Sequence, residues 1–164
     1  MATKYTKRSG DVGIAVNKIQ GYLNIFQSSG LITNRVSQDG VFGTGTKMAV
    51  QQFQKFVGLP VDGIVGENTW NMMMQELRQL RVTPKIPVAS ASYHLSMGQM
   101  GLDVYKMQEY LNLFTSNVPL KVDGVYGSKT KQAVMQYQTM NNLKKDGVIG
   151  SDTWDRLIGN YLSH

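Results

Sequence analysis

The amino-acid sequence predicts an all-α protein made of two tandem three-helix bundles joined by a short linker. Three observations support this prediction: a turn motif that recurs at fixed spacing, apolar residues at helical spacing beside each copy, and a central stretch rich in proline and serine. The motif reads Asp-Gly, two apolar residues, Gly, two variable residues and Thr. Its four copies span residues 39–46, 62–69, 123–130 and 146–153. Self-similarity at fixed spacing is the signature of a repeated structural unit.

Each copy of the motif is predicted to form a tight turn that leads into a helix. Asp can fold its carboxylate onto nearby backbone N–H groups, and Gly tolerates the positive φ of a tight turn. The two apolar residues are expected to pack the turn against a core, and the second Gly to allow another sharp bend. Side-chain oxygens of the following polar residues and Thr can satisfy free N–H groups of a first helical turn. The motif is therefore interpreted as mainly structural.

Three helices are predicted in the first repeat. The first has apolar residues at steps of three, four and three, namely Val16, Ile19, Leu23 and Phe26. Asp11 is a candidate N-cap for this helix. The second helix is expected from about Thr44 to Val57, because Gly58 suits a left-handed helix end. The third begins near Glu67 and carries the apolar residues Trp70, Met73, Met74, Leu77 and Leu80 on one side.

The same plan recurs after a linker, so the predicted domains are residues 1–83 and 96–164, with the linker at 84–95. Pro84, Pro87, Ser90 and Ser92 mark the linker, which has little apolar periodicity. The loop after the first helix is four residues shorter in the second repeat. Asn142 stands where Gly58 stands in the first repeat, and Asn is the other residue that tolerates a left-handed helix end.

The chain is basic, with 17 Lys and Arg against 11 Asp and Glu and a net charge of +6. Such an excess favours anionic partners such as acidic cell-wall polymer, although an ordinary solvated surface explains it equally well. The basic residues are scattered, whereas a nucleic-acid footprint is a stripe on one face. No run is long enough to cross a membrane, and no apolar stretch follows the basic start as in a signal peptide. Neither a nucleic-acid nor a membrane partner is predicted.

No catalytic, metal or cofactor site is predicted. The two histidines are His94, in the linker, and His164, the last residue, and the chain has no cysteine. Zinc sites need clustered ligands, and nucleophile–base pairs need a histidine placed beside a serine or cysteine. No copy of the motif has the Gly-Lys-Ser/Thr ending of a phosphate-binding loop. Paired carboxylates for glycoside cleavage stay formally possible, but the acidic residues have no evident partners, and the protein is predicted not to be an enzyme.

Polar residues recur at matched positions of the two repeats, and they allow two interpretations. The matched pairs are Tyr22 with Tyr110, Gln20 with Gln108, and Gln54 with Gln138. A tyrosine at the edge of an apolar stripe can offer its ring to a sugar or peptide. Alternatively, these are boundary residues whose amides bond to helix ends.

The spaced motifs resemble the peptidoglycan-binding domain type 1 family. The resemblance rests on Val-x-x-Ile/Met-Gln-x-Tyr-Leu-Asn, then Asp-Gly-Val-Phe/Tyr-Gly-x-x-Thr-x-x-Ala-Val-x-x-Phe/Tyr-Gln, then Asp-Gly-x-x-Gly-x-x-Thr-Trp. It covers about residues 9–80 and again 96–162. It implies small modules that fold as three-helix orthogonal bundles and are attached to cell-wall hydrolases, including bacteriophage endolysins.

The resemblance also implies a shallow groove near the helix entries that contacts glycan or stem peptide. Carried over to this sequence, the first groove would consist of Gln20, Tyr22, Asp39, Gly40, Phe42 and Thr46. The second would consist of Gln108, Tyr110, Asp123, Gly124, Tyr126 and Thr130. Phe42 and Tyr126 fit a core position equally well.

Two functions follow from these expectations. The first is binding of bacterial peptidoglycan without catalysis, which would anchor or target an associated activity to the wall, with other phage or cell-wall-lytic proteins as further partners. The alternative is a structural or adaptor part of a phage tail, virion or contractile injection apparatus. In both, the protein is expected to be made in the cytoplasm without a signal peptide and to act at the cell wall or in such a particle.

Overall fold

The computed structural model describes residues 6–82, 94–115 and 119–163, which form six α-helices. These are α1 (Ile14–Ser28), α2 (Thr44–Val57), α3 (Glu67–Gln79), α4 (Leu102–Phe114), α5 (Ser128–Met140) and α6 (Ser151–Leu162). The chain divides into two compact units, Met1–Val82 and Thr83–His164, with three helices each. The all-α, three-helix prediction is confirmed. Most of the predicted linker lies outside the described residues.

The predicted apolar stripes form the cores of the two units. All four apolar residues of the first stripe are fully buried on α1. Phe26 stacks on Phe53 of α2, with ring centroids 4.6 Å apart. In the second unit, Phe114 of α4 approaches Tyr137 of α5 at 6.0 Å. Trp70 and Trp154 are buried at matched positions of α3 and α6, so each core contains one tryptophan.

A short extended segment before the first helix of each unit closes the unit onto its second motif. Lys7 and Val65 exchange backbone N–H···O bonds of 3.0 and 2.8 Å, and Leu95 and Ile149 exchange bonds of 2.9 and 2.8 Å. These antiparallel bridges satisfy backbone groups that would otherwise be buried beside the core. They could not be predicted from the sequence, because a two-residue bridge leaves no periodic pattern.

The helix starts differ from the prediction. The second Gly of each motif is the N-cap, and no side chain caps these helices. Its φ lies between −90° and −95°, so the bend does not require glycine there. Asp11 is likewise not the cap of α1: that cap is Gly13, and the Asp11 carboxylate accepts the Arg8 N–H instead. The motif threonines are buried, and their hydroxyl groups accept hydrogen bonds from glutamine side chains described below.

The ends of α2 and α5 follow the prediction and provide a test. Gly58 has φ 77° and Asn142 has φ 55°, both in the left-handed region.

A Cβ on Gly58 would meet no atom within 4 Å, so a substitution there changes backbone strain alone. We expect Gly58→Ala to lower the free energy of unfolding by about 1–2 kcal/mol. Gly58→Asn, which places the residue of the second repeat at this position, should lower the free energy of unfolding by less. Urea unfolding that gave equal losses for Gly58→Ala and Gly58→Asn would contradict this expectation.

Candidate functional site

A buried glutamine holds the first motif in place. Gln20, on α1, is 1% exposed, and its Oε1 accepts the Gly40 N–H at 2.8 Å. Its Nε2 lies 2.9–3.0 Å from three acceptors: Asp39 Oδ1, the Val41 carbonyl oxygen and Thr46 Oγ1. Asp39 Oδ1 also accepts the Val41 N–H at 2.9 Å, which closes the turn. We call this arrangement a glutamine clasp.

The same clasp occurs at all four motifs. Gln54 of α2, Gln108 of α4 and Gln138 of α5 are each 1% exposed and hold the second, third and fourth motifs. Their Oε1 atoms accept the motif Gly N–H at 2.9, 2.8 and 3.0 Å. Their Nε2 atoms donate to the motif Asp, a backbone carbonyl and the motif Thr. A buried amide is tolerated only when its polar atoms are paired in this way.

The clasp requires both a glycine and a threonine in the motif. The first glycines have φ between 68° and 76°, the left-handed conformation in which their N–H groups meet the glutamine. The threonine hydroxyl accepts a buried amide proton inside the domain. The recurring motif is therefore a fold element in which turn, helix start and neighbouring helix are joined by one side chain.

Hydrogen bonding to the clasp lowers the pKa of two of its carboxyl groups. The Gln20 amide, followed by the Val41 N–H, lowers the pKa of Asp39 below its usual value. Burial works to raise the pKa of Asp146, but the Val148 N–H and the Gln138 amide outweigh it and the net shift is downward. Both aspartates therefore stay ionised in the folded protein at neutral pH.

These shifts predict acid sensitivity. Because the folded pKa values lie below the unfolded ones, the stabilisation is fully present above about pH 4 and is lost as the pH falls through the folded values. We expect thermal unfolding temperatures to fall below pH 4. Asp146→Asn, which keeps an acceptor but removes the titration, should flatten this dependence for the second repeat. If the unfolding temperature of Asp146→Asn depended on pH as that of the wild type does, the Asp146 carboxyl group would not be a source of the acid sensitivity.

The structure brings the predicted groove residues together, but it places most of them inside the domains. The buried members are Gln20, Gly40, Phe42, Thr46, Gln108, Gly124, Tyr126 and Thr130. Of the two interpretations left open for Phe42 and Tyr126, the core position is the one observed. The Tyr126 hydroxyl donates to the Gly147 carbonyl oxygen at 2.7 Å, and burial, followed by the Asp146 charge, raises its pKa well above the usual range. Buried side chains of this kind support a surface rather than form one.

The remaining predicted residues reach the surface beside the clasps. Asp39 is exposed, whereas Tyr22, Tyr110 and Asp123 are partly buried. The Tyr22 ring lies 6.1 Å from the Trp70 ring, and the Tyr110 ring lies 4.5 Å from that of the exposed Tyr161. Each tyrosine thus rests on an aromatic ring of the third helix in its repeat.

An open groove runs along α5 in the second repeat. One part, of about 310 Å³, is lined by Thr115, Pro119, Leu120, Lys129, Gln132, Ala133 and Gln136. An adjoining part, of about 390 Å³, is lined by Gln132, Met135, Gln136, Thr139, Met140 and Lys145. We call the two parts together the α5 groove. This groove was not predicted from the sequence.

The described residues contain no cluster of three or more His, Cys, Asp or Glu side chains able to hold a metal ion. None of the helices described has the length and apolar composition to cross a bilayer. His94 is an exposed residue ahead of α4, and His164 lies outside the described residues.

Comparison with protein families gives the same segments as the fold. The family model "Putative peptidoglycan binding domain" matches residues 13–73 and 100–157, one segment in each repeat. The chain belongs to the peptidoglycan-binding domain family. The clasps at the four motifs thus lie within two peptidoglycan-binding domains, as the sequence motifs indicated.

Relatives of this chain include proteins named as amidases. It is 32% identical over 143 residues to N-acetylmuramoyl-L-alanine amidase CwlL of Bacillus licheniformis, covering 79% of the chain and 39% of the amidase. It is 33% identical over 152 residues to N-acetylmuramoyl-L-alanine amidase CwlM of Mycobacterium tuberculosis, covering 89% of the chain and 36% of that protein. The chain therefore spans about two fifths of the length of these relatives. Among solved structures, the SleB N-terminal domain is 34% identical, with 46% of this chain and 97% of that chain covered and a TM-score of 0.39.

For Gln54 and Gln138, the interpretation as residues whose amides bond to helix ends describes part of the clasp, since they bond to Thr69 and Thr153 at the starts of α3 and α6, but their burial and their bonds to the motif turns were not predicted. A signal was present, because each glutamine precedes its motif Asp by eight residues, in Gln54–Asp62 and Gln138–Asp146. The recurrence was visible, but polar side chains are usually placed at the surface. Only the structure of these peptidoglycan-binding domains shows all four glutamines to be internal.

Proposed function

We propose that this chain holds bacterial peptidoglycan without cleaving it, and that it thereby keeps an associated activity at the wall. The observation that carries the proposal is the match of both repeats, each with its two clasps, to the peptidoglycan-binding domain family. The relatives named as amidases support a wall context, and the net charge of +6 favours attraction to an anionic polymer. Two domains in one chain would gain avidity on a polymer with repeating epitopes.

We further propose that the members of the predicted groove that reach the surface make the contacts in both repeats. Tyr22 and Tyr110 offer ring edges and hydroxyls, and Asp39 and Asp123 offer carboxylate oxygens to sugar hydroxyls or peptide N–H groups. The buried clasp residues then hold the turns and helices that position these four side chains.

Sedimentation with purified sacculi tests the proposal. We expect the protein to sediment with sacculi at low and at physiological salt and to leave sacculus turbidity unchanged. Tyr22→Ala/Tyr110→Ala should reduce the bound fraction severalfold, whereas Phe56→Ala, which removes an exposed ring from α2, should not.

Retention in the supernatant at low salt, where charge attraction is strongest, would overturn the wall-binding proposal. That result would favour the protein–protein role in a virion or injection apparatus. Undiminished binding by the folded double tyrosine variant would reject the proposed contact residues alone.

A further inference from the structure

The two repeats differ in the loop that follows their first helix. In the first repeat, the Asn24 side chain exchanges two hydrogen bonds with the Val36 backbone, at 2.9 Å each. In the second, Asn112 does the same with Leu120, at 2.8 Å each. The paired residues are 12 apart in the first repeat and 8 apart in the second. The two pairs anchor equivalent loops, of which the second is four residues shorter.

The longer loop of the first repeat lies on α2 and is held there by Gln52. Its Oε1 accepts the N–H groups of Thr33 and Asn34, both at 3.0 Å. Its Nε2 donates to Thr33 Oγ1 at 3.0 Å. One amide side chain thus recognises two consecutive backbone N–H groups of a peptide segment. In the first repeat, the recognised segment is the loop at Thr33 and Asn34 of the same chain.

The equivalent residue in the second repeat is Gln136, and its side chain is exposed. Gln136 lies 84 positions after Gln52, the same offset that relates the core residues of α2 and α5. It is exposed, lines both parts of the α5 groove, and has no hydrogen-bond partner within the described part of the chain. Within the described residues of the second repeat, the same amide is therefore exposed and has no loop residue bonded to it.

Positive charge lines the α5 groove. Lys129 and Lys145 are among its lining residues, and Gly45 and Val61 stand at the corresponding positions of the first repeat, where the exposed Lys55 occupies the position that matches Thr139. Both groove lysines are exposed. The groove between them has apolar walls that include Leu120 and Met135. The face thus combines a free amide, apolar walls and two cations, which suits a short peptide with carboxylate groups.

We propose that the α5 groove binds the stem peptide of peptidoglycan in an extended conformation. Gln136 Oε1 accepts two consecutive backbone N–H groups of the peptide, as Gln52 does from the loop of the first repeat, and Lys129 and Lys145 attract its carboxylates. This inference rests on the proposed wall-binding function and specifies its ligand in the second repeat. A glycan strand has no pair of consecutive backbone N–H groups to offer, so the amide favours peptide over sugar.

Calorimetry on the full chain tests the inference, with stem peptides released from purified sacculi by an amidase as the probe. Peptide-free glycan strands form the second arm. We expect the wild-type chain to bind the peptides, and Gln136→Ala to weaken binding about tenfold through the loss of two hydrogen bonds. Lys129→Ala/Lys145→Ala should weaken it and reduce its dependence on salt.

Matched controls come from the first repeat. Gln52→Ala removes the equivalent amide, and Arg35→Ala/Lys55→Ala removes the same number of exposed positive charges. Neither should change the affinity for the peptides. Circular dichroism of Gln136→Ala should match that of the wild type, because the side chain is exposed.

Two outcomes would overturn the inference while leaving the proposed function intact. One is sedimentation of the wild type with sacculi together with equal peptide affinity in Gln136→Ala and wild type. The other is binding of the glycan strands with no measurable binding of the peptides. A wild-type chain that fails to sediment with sacculi instead rejects the proposed function itself.

Discussion

Replacing Gln138 with alanine is expected to unfold the second repeat. The substitution removes the amide that satisfies the buried Gly147 N–H and bonds Thr153 Oγ1. Buried polar groups left without partners cost about 1–3 kcal/mol each, so the loss is about 3–5 kcal/mol. A single core of this size supplies only about 3–5 kcal/mol in total. Urea unfolding followed by circular dichroism should show the second repeat unfolded without denaturant.

The chain offers close controls for this prediction. Gln136→Ala removes the same side chain two positions earlier, where it is exposed, and should change stability by less than about 0.5 kcal/mol. Gln54→Ala should have the same effect on the first repeat that Gln138→Ala has on the second. If Gln138→Ala and Gln136→Ala proved equally stable, the clasp would not hold the fold.

Replacing Trp154 with alanine is expected to have an effect of the same size for a different reason. Trp154 is 2% exposed and is the largest of the fully buried side chains. Truncating a buried aromatic residue of this size costs about 3–5 kcal/mol, from lost apolar burial and from the cavity left behind. Trp70→Ala should do the same in the first repeat.

Tryptophan fluorescence can follow the two repeats separately. The chain has two tryptophans, one in each repeat, so either variant leaves a single fluorophore that reports on the other repeat. We expect Trp154→Ala to lose the ordered structure of the second repeat while Trp70 keeps its buried emission. Trp154→Phe is the control: the indole N–H has no hydrogen-bond partner among the described residues, so this variant loses mainly volume. A loss in Trp154→Phe as large as in Trp154→Ala would contradict the packing explanation.

The helices could be predicted because their signals are local. The bounds of α2 were predicted at Thr44 and Val57, as observed, since the apolar period and the left-handed Gly58 both act within one turn. Asn142 was identified in the same way, from the backbone conformation that position requires. The four aspartates and first glycines of the motif also have the predicted turn geometry.

The site was harder to predict because its decisive contacts join residues distant in sequence. Gln20 lies 26 positions from Thr46, and nothing local indicates that the glutamine is buried or that the threonine faces it rather than a helix end. One part of the α5 groove borders a loop that is four residues shorter than its counterpart, and the shortening itself was visible in the sequence. Its consequence for Gln136 was not, because it depends on how the longer loop packs on α2.

The most direct test is an NMR titration of the full chain with stem peptides released from sacculi. The central claim is that the repeated motif builds the fold and that ligand contacts lie on the surface beside it. We therefore expect the largest changes of backbone amide shift along α5 near Gln136, while the amides of Gly40, Gly63, Gly124 and Gly147 stay protected from exchange. The largest changes at those four glycine amides, with α5 unaffected, would contradict the claim.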